Sequence, residues 1–74
     1  MQLLQVAAVN DIARGRELQR KLREAGMDAY WESVRTNKGD VVRVRVSVDP
    51  ATQSVADTLA KLKAMGFDPI IVNP

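Results

Sequence analysis

The 74-residue chain contains neither cysteine nor histidine. Without cysteine there is no disulfide and no thiolate metal site, and the Cys-x-x-Cys motif that a small metallochaperone needs is absent. Without histidine the chain lacks the most common general base, the usual serine and cysteine triads and most zinc ligands. No other nucleophile, acid and base converge in the sequence. We therefore predict a protein that is not an enzyme, with no catalytic residues, no metal site and no cofactor.

Long apolar runs and a large net charge are also missing. No apolar run approaches the roughly 20 residues that a membrane span needs. Met1 is followed at once by a strand-like segment that leaves no room for a signal peptide, so we expect either a cytoplasmic chain or a piece of a longer protein. The net charge is only +2, with 46% hydrophobic and 27% charged residues. This composition is that of one globular domain, on which any basic surface arises from local arrangement.

The chain matches itself at an offset of 40 residues. Residues 22–28 align with residues 62–68, and the strand-like segments before them align as well. In each half a glycine, Gly26 or Gly66, follows a helical pattern, as expected of a helix C-cap in the left-handed conformation. Two units are too few for a solenoid. We therefore predict two related halves within a single domain.

Periodicity and capping signals predict six elements in the order βαββαβ. They are a strand over Leu3–Val9, a helix over Asp11–Ala25, a strand over Asp28–Thr36, a strand over Val41–Val48, a helix that begins at Asp49-Pro50 and ends at Gly66, and a strand over Pro69–Asn73. With right-handed crossovers this order gives an α+β, ferredoxin-like (RNP-like) fold. Its antiparallel sheet has the first and third strands in the centre and both helices on one face, so the other face is open to carry the function.

The third strand shows which side chains this open face carries. Four valines alternate there with Arg43, Arg45 and Ser47, and with the valines toward the helices these three residues face outward. The 40-residue repeat then predicts the orientation of the first strand: Leu3, Gln5 and Ala7 outward, and Leu4, Val6 and Ala8 toward the core. Guanidinium groups beside an amide can bind carboxylate, phosphate or sugar hydroxyls. Exposed arginines on a strand can also serve solubility alone.

Tyr30 and Trp31 are neighbours in the second strand and therefore point to opposite faces. Only three aromatic residues are present, one each of Tyr, Trp and Phe, and a core this small needs its tryptophan. We therefore predict Trp31 inward with Ala29, and Tyr30 outward with Glu32. An outward Tyr30 offers a plane on which a sugar ring or a base can stack.

Two further functions can be weighed from the same pattern. An RNA-binding domain of the RRM type shares this topology but carries aromatic residues on its first and third strands. Those strands have no aromatic residue here, so nucleic acid is not the expected partner. The outer face of the first helix is basic, which is typical of a solvated surface and also fits an acidic protein partner; its basic residues are Arg14, Arg16, Arg20, Lys21 and Arg23.

Several segments together resemble the SPOR domain, or sporulation-related repeat. They are Leu4-Gln-Val-Ala-Ala-Val-Asn10, the helix ending Leu22-x-x-x-Gly26, the strand Val42-Arg-Val-Arg-Val46, and Leu59-x-x-Leu62-x-x-x-Gly66. The family pattern is V-Q-x-G-x-F in the first strand and R-V-x-x-G-P in the third. The resemblance covers essentially the whole chain. It departs from the pattern where Ala7 replaces a glycine, Val9 an aromatic residue, and Ser47-Val48 the Gly-Pro pair.

The resemblance implies a periplasmic, non-catalytic domain that binds peptidoglycan glycan strands lacking stem peptides, which are enriched at the bacterial division septum. Residues 1–74 would then be one SPOR-like domain of a longer division or cell-wall protein anchored in the inner membrane. The family's binding glutamine and arginine correspond to Gln5 and Arg43, while its serine falls on Ala8 and its aromatic residue on Val41.

Geometry adds three residues to this predicted glycan-binding site: Tyr30, as the substitute for the aromatic residue, Arg45 and Ser47. The chemistry agrees with the resemblance, because removal of a stem peptide frees a lactyl carboxylate that an arginine can bind. The alternative is a protein interaction module that docks another division protein through the sheet or the basic first helix.

Overall fold

The computed structural model describes residues 1–72 as one four-stranded sheet with two helices. The elements are β1 (Gln2–Val9), α1 (Ile12–Glu24), β2 (Asp28–Thr36), β3 (Gly39–Val48), α2 (Val55–Ala64) and β4 (Ile70–Val72). All neighbouring strands are antiparallel, in the order β2-β3-β1-β4. The predicted βαββαβ fold with β1 and β3 in the centre is confirmed; Asn73, predicted to end the last strand, lies outside the described residues.

One core forms between the inner face of the sheet and both helices. Its buried members include Leu4, Val6, Leu18, Leu22, Ala29, Val44, Val46, Val48 and Leu62. Leu22 from α1 and Leu62 from α2 are fully buried, and burial of such a side chain contributes about 1.5–3 kcal/mol relative to exposure. Because both leucines belong to the same cluster as the inward valines of β3, both helices cover the same face of the sheet.

The two helices end in the same way, as the 40-residue repeat predicts. Gly26 and Gly66 have φ angles of 86° and 92°, which is the left-handed region that glycine adopts without a steric cost. After α1, the N–H of Met27 donates to the carbonyl of Leu22 at 3.0 Å. The corresponding bond follows α2, and both ends are Schellman motifs. The equivalence of the two helix ends is confirmed.

The start of α2 differs from the prediction. Asp49-Pro50 does not begin the helix, because the Asp49 carbonyl accepts a bond from the N–H of Gln53 at 2.9 Å and closes a separate turn. The helix begins after Ser54, whose hydroxyl oxygen accepts a bond from the N–H of Asp57 at 3.1 Å. The hydroxyl satisfies one of the N–H groups left free at a helix start.

A β-bulge in β1 changes which residues face outward. The pairing between β1 and β3 shifts by one residue between Gln5 and Ala7, which leaves Val6 without a Cα partner. Beyond the bulge the alternation reverses, so Ala7 packs against the core and Ala8 is exposed. The predicted orientations of Ala7 and Ala8 are therefore wrong, whereas those of Leu4 and Gln5, which precede the bulge, hold.

Candidate functional site

The face of the sheet away from the helices is uncovered within residues 1–72, and one row of side chains crosses all four of its strands. The row consists of Tyr30 on β2, Arg45 on β3, Gln5 on β1 and Ile70 on β4, each paired with the next in register. Registered partners on antiparallel strands project to the same face. With strands 4.7–4.9 Å apart, this central row is about 14 Å long.

Arg45 is the charged side chain of the central row. Its Nη2 donates to Oε1 of Gln5 at 3.5 Å, the outer limit of a hydrogen bond. Its Nε is buried and has no hydrogen-bond partner among the described residues, an uncommon condition for a buried donor. No ion pair to Arg45 forms within residues 1–72. Part of the hydrogen-bonding capacity of this guanidinium is therefore unused.

The two cross-strand rows next to the central row contain the remaining predicted residues, Arg43 and Ser47. Arg43 lies between Glu32 of β2 and Ala8 of β1, without an ion pair in the described part of the chain. On the other side Ser47 lies between Asp28 and Leu3, and its hydroxyl contacts the Met1 sulfur at 4.0 Å. All five predicted residues lie on this one face: Gln5, Tyr30, Arg43, Arg45 and Ser47.

One residue of this face and one cleft at the end of the sheet were not predicted. Ile70 ends the central row with 57% of its surface exposed, and its position is the one that the 40-residue offset pairs with Tyr30. An open cleft of about 760 Å³ lies where β1 meets α1, lined by Ala8, Val9, Asn10, Asp11, Arg14 and Val41. The repeat could have indicated Ile70, whereas the cleft is lined in part by Ala8, which the bulge turns outward.

Trp31 lies on the helix side of the sheet, as predicted. It pairs with the buried Val44, is itself half-buried, and packs against the core. The Arg16 guanidinium carbon of α1 lies 5.9 Å from the centre of its ring, within the distance of a cation–π contact. Tyr30, the preceding residue, is thus the aromatic side chain of the open face.

The basic residues of α1 mostly have partners in the same chain. Four of the five form ion pairs: Arg14 and Lys21 with Glu17, Arg20 with Glu24, and Arg23 with Asp28. The charge of Lys21, together with the hydrogen bond from Arg14, lowers the pKa of the Glu17 carboxyl. Arg23 Nε also donates to the Ala29 carbonyl at 2.8 Å. This arrangement favours a solvated helix face over a docking surface.

Other kinds of site find little support in residues 1–72. No group of three or more acidic side chains in this range could hold a metal ion. Neither helix has the length and apolar character required to pass through a bilayer. The open sheet face is therefore the candidate site, and it offers arginine forks, an amide, a phenol and apolar side chains.

Comparisons with known proteins agree with the fold. A sequence profile of the SPOR domain matches residues 3–73, which include both halves of the repeat and every predicted site residue. Among solved structures, the crystal structure of the RlpA SPOR domain from Pseudomonas aeruginosa matches with a TM-score of 0.75 and 24% sequence identity, over 100% of each chain. No curated protein sequence matches the chain.

Proposed function

The chain belongs to the SPOR domain family and is therefore a peptidoglycan-binding domain; we propose that its open sheet face binds glycan strands that lack stem peptides. SPOR domains are binding modules found in cell-envelope proteins. The observation that carries the proposal is the contact between Arg45 and Gln5 at the centre of an uncovered sheet. A guanidinium with unused donors in this position suits an anionic ligand that lies flat on the sheet.

The chemistry of the glycan explains the selectivity. In intact peptidoglycan the lactyl group of muramic acid is joined to the stem peptide through a neutral amide. Removal of the peptide leaves a carboxylate at the same position, and an arginine binds a carboxylate through two parallel charge-assisted hydrogen bonds. The amide offers no such charge. The arginines of the open face thereby favour the strand without stem peptides.

The other predicted residues contact the sugars. Tyr30 provides a ring for stacking against a pyranose, and Gln5 and Ser47 supply groups that both donate and accept hydrogen bonds. Ile70 extends the surface with an exposed apolar side chain. Together they give uncharged contacts that persist when salt screens the ion pair.

Such binding directs the parent protein to the cell division site, where glycan strands without stem peptides accumulate. We propose that residues 1–74 form one periplasmic domain of a longer protein that is anchored in the inner membrane. In this role the domain acts as a targeting module.

A sedimentation assay with purified sacculi tests the proposal. Wild-type domain should bind amidase-treated sacculi at least several-fold more than intact sacculi. A Gln5→Ala, Arg45→Ala double variant should lose most of this binding. Arg35→Ala is the matched control. Side chains alternate between the two faces along β2, and Arg35 is on the face opposite to that of Tyr30, where it pairs with Asp40 near the turn between β2 and β3. If the double variant bound amidase-treated sacculi as well as the wild-type domain does, the open sheet face would be excluded as the binding face.

That last outcome would favour the alternative, an interaction module that docks a division protein through α1. Arg16 is the basic residue of α1 outside the four ion pairs of the described chain. Together with Arg20 and Arg23 it lines a groove of about 470 Å³ on the helix surface. An Arg16→Ala, Arg20→Ala, Arg23→Ala variant should leave binding to sacculi unchanged if the sheet face is the site.

A further inference from the structure

We propose that the two arginines of the open face have different roles, with Arg45 binding the ligand carboxylate and Arg43 acting with Glu32 on uncharged groups of the sugar. This inference rests on the proposed function and assigns the parts of that same site. It makes Arg45, rather than the arginine that matches the family motif, the residue that distinguishes glycan strands with and without stem peptides.

The directly paired residues on either side of Arg45 do not compensate its charge. Its two register partners are a phenol, Tyr30, and an amide, Gln5. The Gln5 contact is long, at 3.5 Å, and the Arg45 Nε has no hydrogen-bond partner among the described residues. An incoming carboxylate therefore meets a guanidinium that has no acidic partner in its own row.

The surroundings of Arg43 are different. Glu32 is its register partner on β2, and directly opposed residues have Cβ atoms about 4.5–5.5 Å apart. The two side chains do not form an ion pair within 4.0 Å in the structure, so both ends keep hydrogen-bonding capacity. The Glu32 carboxylate lowers the positive potential at this position and repels a second anion.

An arginine beside a glutamate presents donors and an acceptor together. A sugar hydroxyl both donates and accepts a hydrogen bond, and so does an acetamido group, so either one can satisfy both side chains at once. The partner of Arg43 on its other side is Ala8, whose small side chain leaves room for a ring to approach. The bulge at Val6 is what brings Ala8 to this position.

The spacing allows both arginines to act on one ligand. Arg43 and Arg45 are two residues apart on the same strand, which corresponds to about 7 Å. That distance is comparable to the size of a sugar residue with its lactyl substituent. One muramic acid unit can therefore place its carboxylate at Arg45 and a hydroxyl or acetamido group at Arg43 and Glu32.

Two forms of one ligand test this division of roles. Soluble glycan strands prepared without stem peptides are used unmodified or with the lactyl carboxylates converted to methylamides, and affinities are measured by calorimetry. The wild-type domain should prefer the carboxylate form by about ten- to a hundredfold. Arg45→Gln should reduce this preference to near unity. Arg43→Gln should weaken both forms by a similar factor and keep the preference.

Glu32→Gln provides an independent readout and Arg35→Gln a control for net charge. Without the acidic neighbour, the preference for the carboxylate form should rise above the wild-type value, whereas Arg35→Gln should leave it unchanged. Thermal unfolding followed by circular dichroism confirms that each variant is folded. Loss of the preference in Arg43→Gln, with its retention in Arg45→Gln, would overturn the assignment, as would equal wild-type affinity for the two forms. If the wild-type domain bound neither form, the proposed function itself would fail.

Discussion

Gly15 of α1 lies directly against Val42 of β3. A Cβ atom added at Gly15 would stand 2.6 Å from Cγ1 of Val42, closer than carbon atoms can approach. Val42 is buried with 1% of its surface exposed, and its branched side chain has little rotational freedom. The glycine therefore lets α1 approach the sheet at this crossing.

Gly15→Ala should destabilise the domain. The substitution gains about 1 kcal/mol of helix propensity but overpacks the contact at a cost of about 1–3 kcal/mol. We expect a net loss of about 1 kcal/mol in the free energy of unfolding, measured by urea denaturation. In a Val42→Ala background the same substitution should be neutral or stabilising, since the clashing methyl group is gone. Equal effects in both backgrounds would contradict the contact.

Trp31 and Tyr30 should respond differently to ligand. Trp31 is half-buried beneath Arg16 on the helix side, so its fluorescence should be blue-shifted relative to free tryptophan and change little when glycan is added. In a Trp31→Phe, Tyr30→Trp variant the single tryptophan stands on the open face, and its emission should change on titration. A strong change in the fluorescence of wild-type Trp31 on titration would instead indicate that the ligand binds on the helix side of the sheet.

Gln5 and Arg45 should be energetically coupled in ligand binding. Gln5→Ala removes a partly exposed side chain and should change stability by only about 0.5 kcal/mol. It should nevertheless weaken glycan binding, because the amide lies beside the Arg45 guanidinium on the proposed binding face. In an Arg45→Ala background Gln5→Ala should cost less binding energy than in the wild type. Additive losses would mean that the two side chains contact the ligand independently.

The Glu17 carboxyl should make a small contribution to stability that depends on pH. Lys21 and Arg14 lower its pKa below the ordinary value of 4.5, so the folded state favours the charged form. This contribution is present above pH 4.5 and is lost as the pH falls through the lowered folded-state pKa. In the Glu17→Gln variant, the free energy of unfolding should differ less between pH 6 and pH 3 than it does in the wild type. The effect should shrink in 1 M salt, which screens exposed pairs.

The sequence pattern was sufficient where local chemistry decides the structure. Glycines at the helix ends, the alternating valines of β3 and the opposite faces of Tyr30 and Trp31 follow from rules that act over a few residues. From these the strand order follows, since βαββαβ units with short connections have few arrangements.

Two errors arose where longer-range geometry decides. The bulge at Val6 depends on the pairing of β1 with β3, and the apolar run from Val6 to Val9 gives no sign of which residue is left unpaired. The sequence offers two residues that could cap the start of α2, Asp49 and Ser54. Asp49 forms a separate turn, and Ser54 caps the helix. The cleft beside Ala8 was not predicted, because Ala8 faces outward only as a result of the bulge.

The 40-residue repeat has a further consequence at the centre of the sheet. Gln5 and Arg45 are equivalent positions of the two halves and also register partners, so the approximate twofold axis of the domain passes between them. The same axis relates Tyr30 to Ile70, which makes the central row palindromic in its backbone: Tyr30 and Arg45 on one side, Ile70 and Gln5 on the other. A symmetric row would accept a linear polymer in either direction. Here an aromatic ring and a cation face an aliphatic chain and an amide, so the two directions across the row present different chemistry to a ligand.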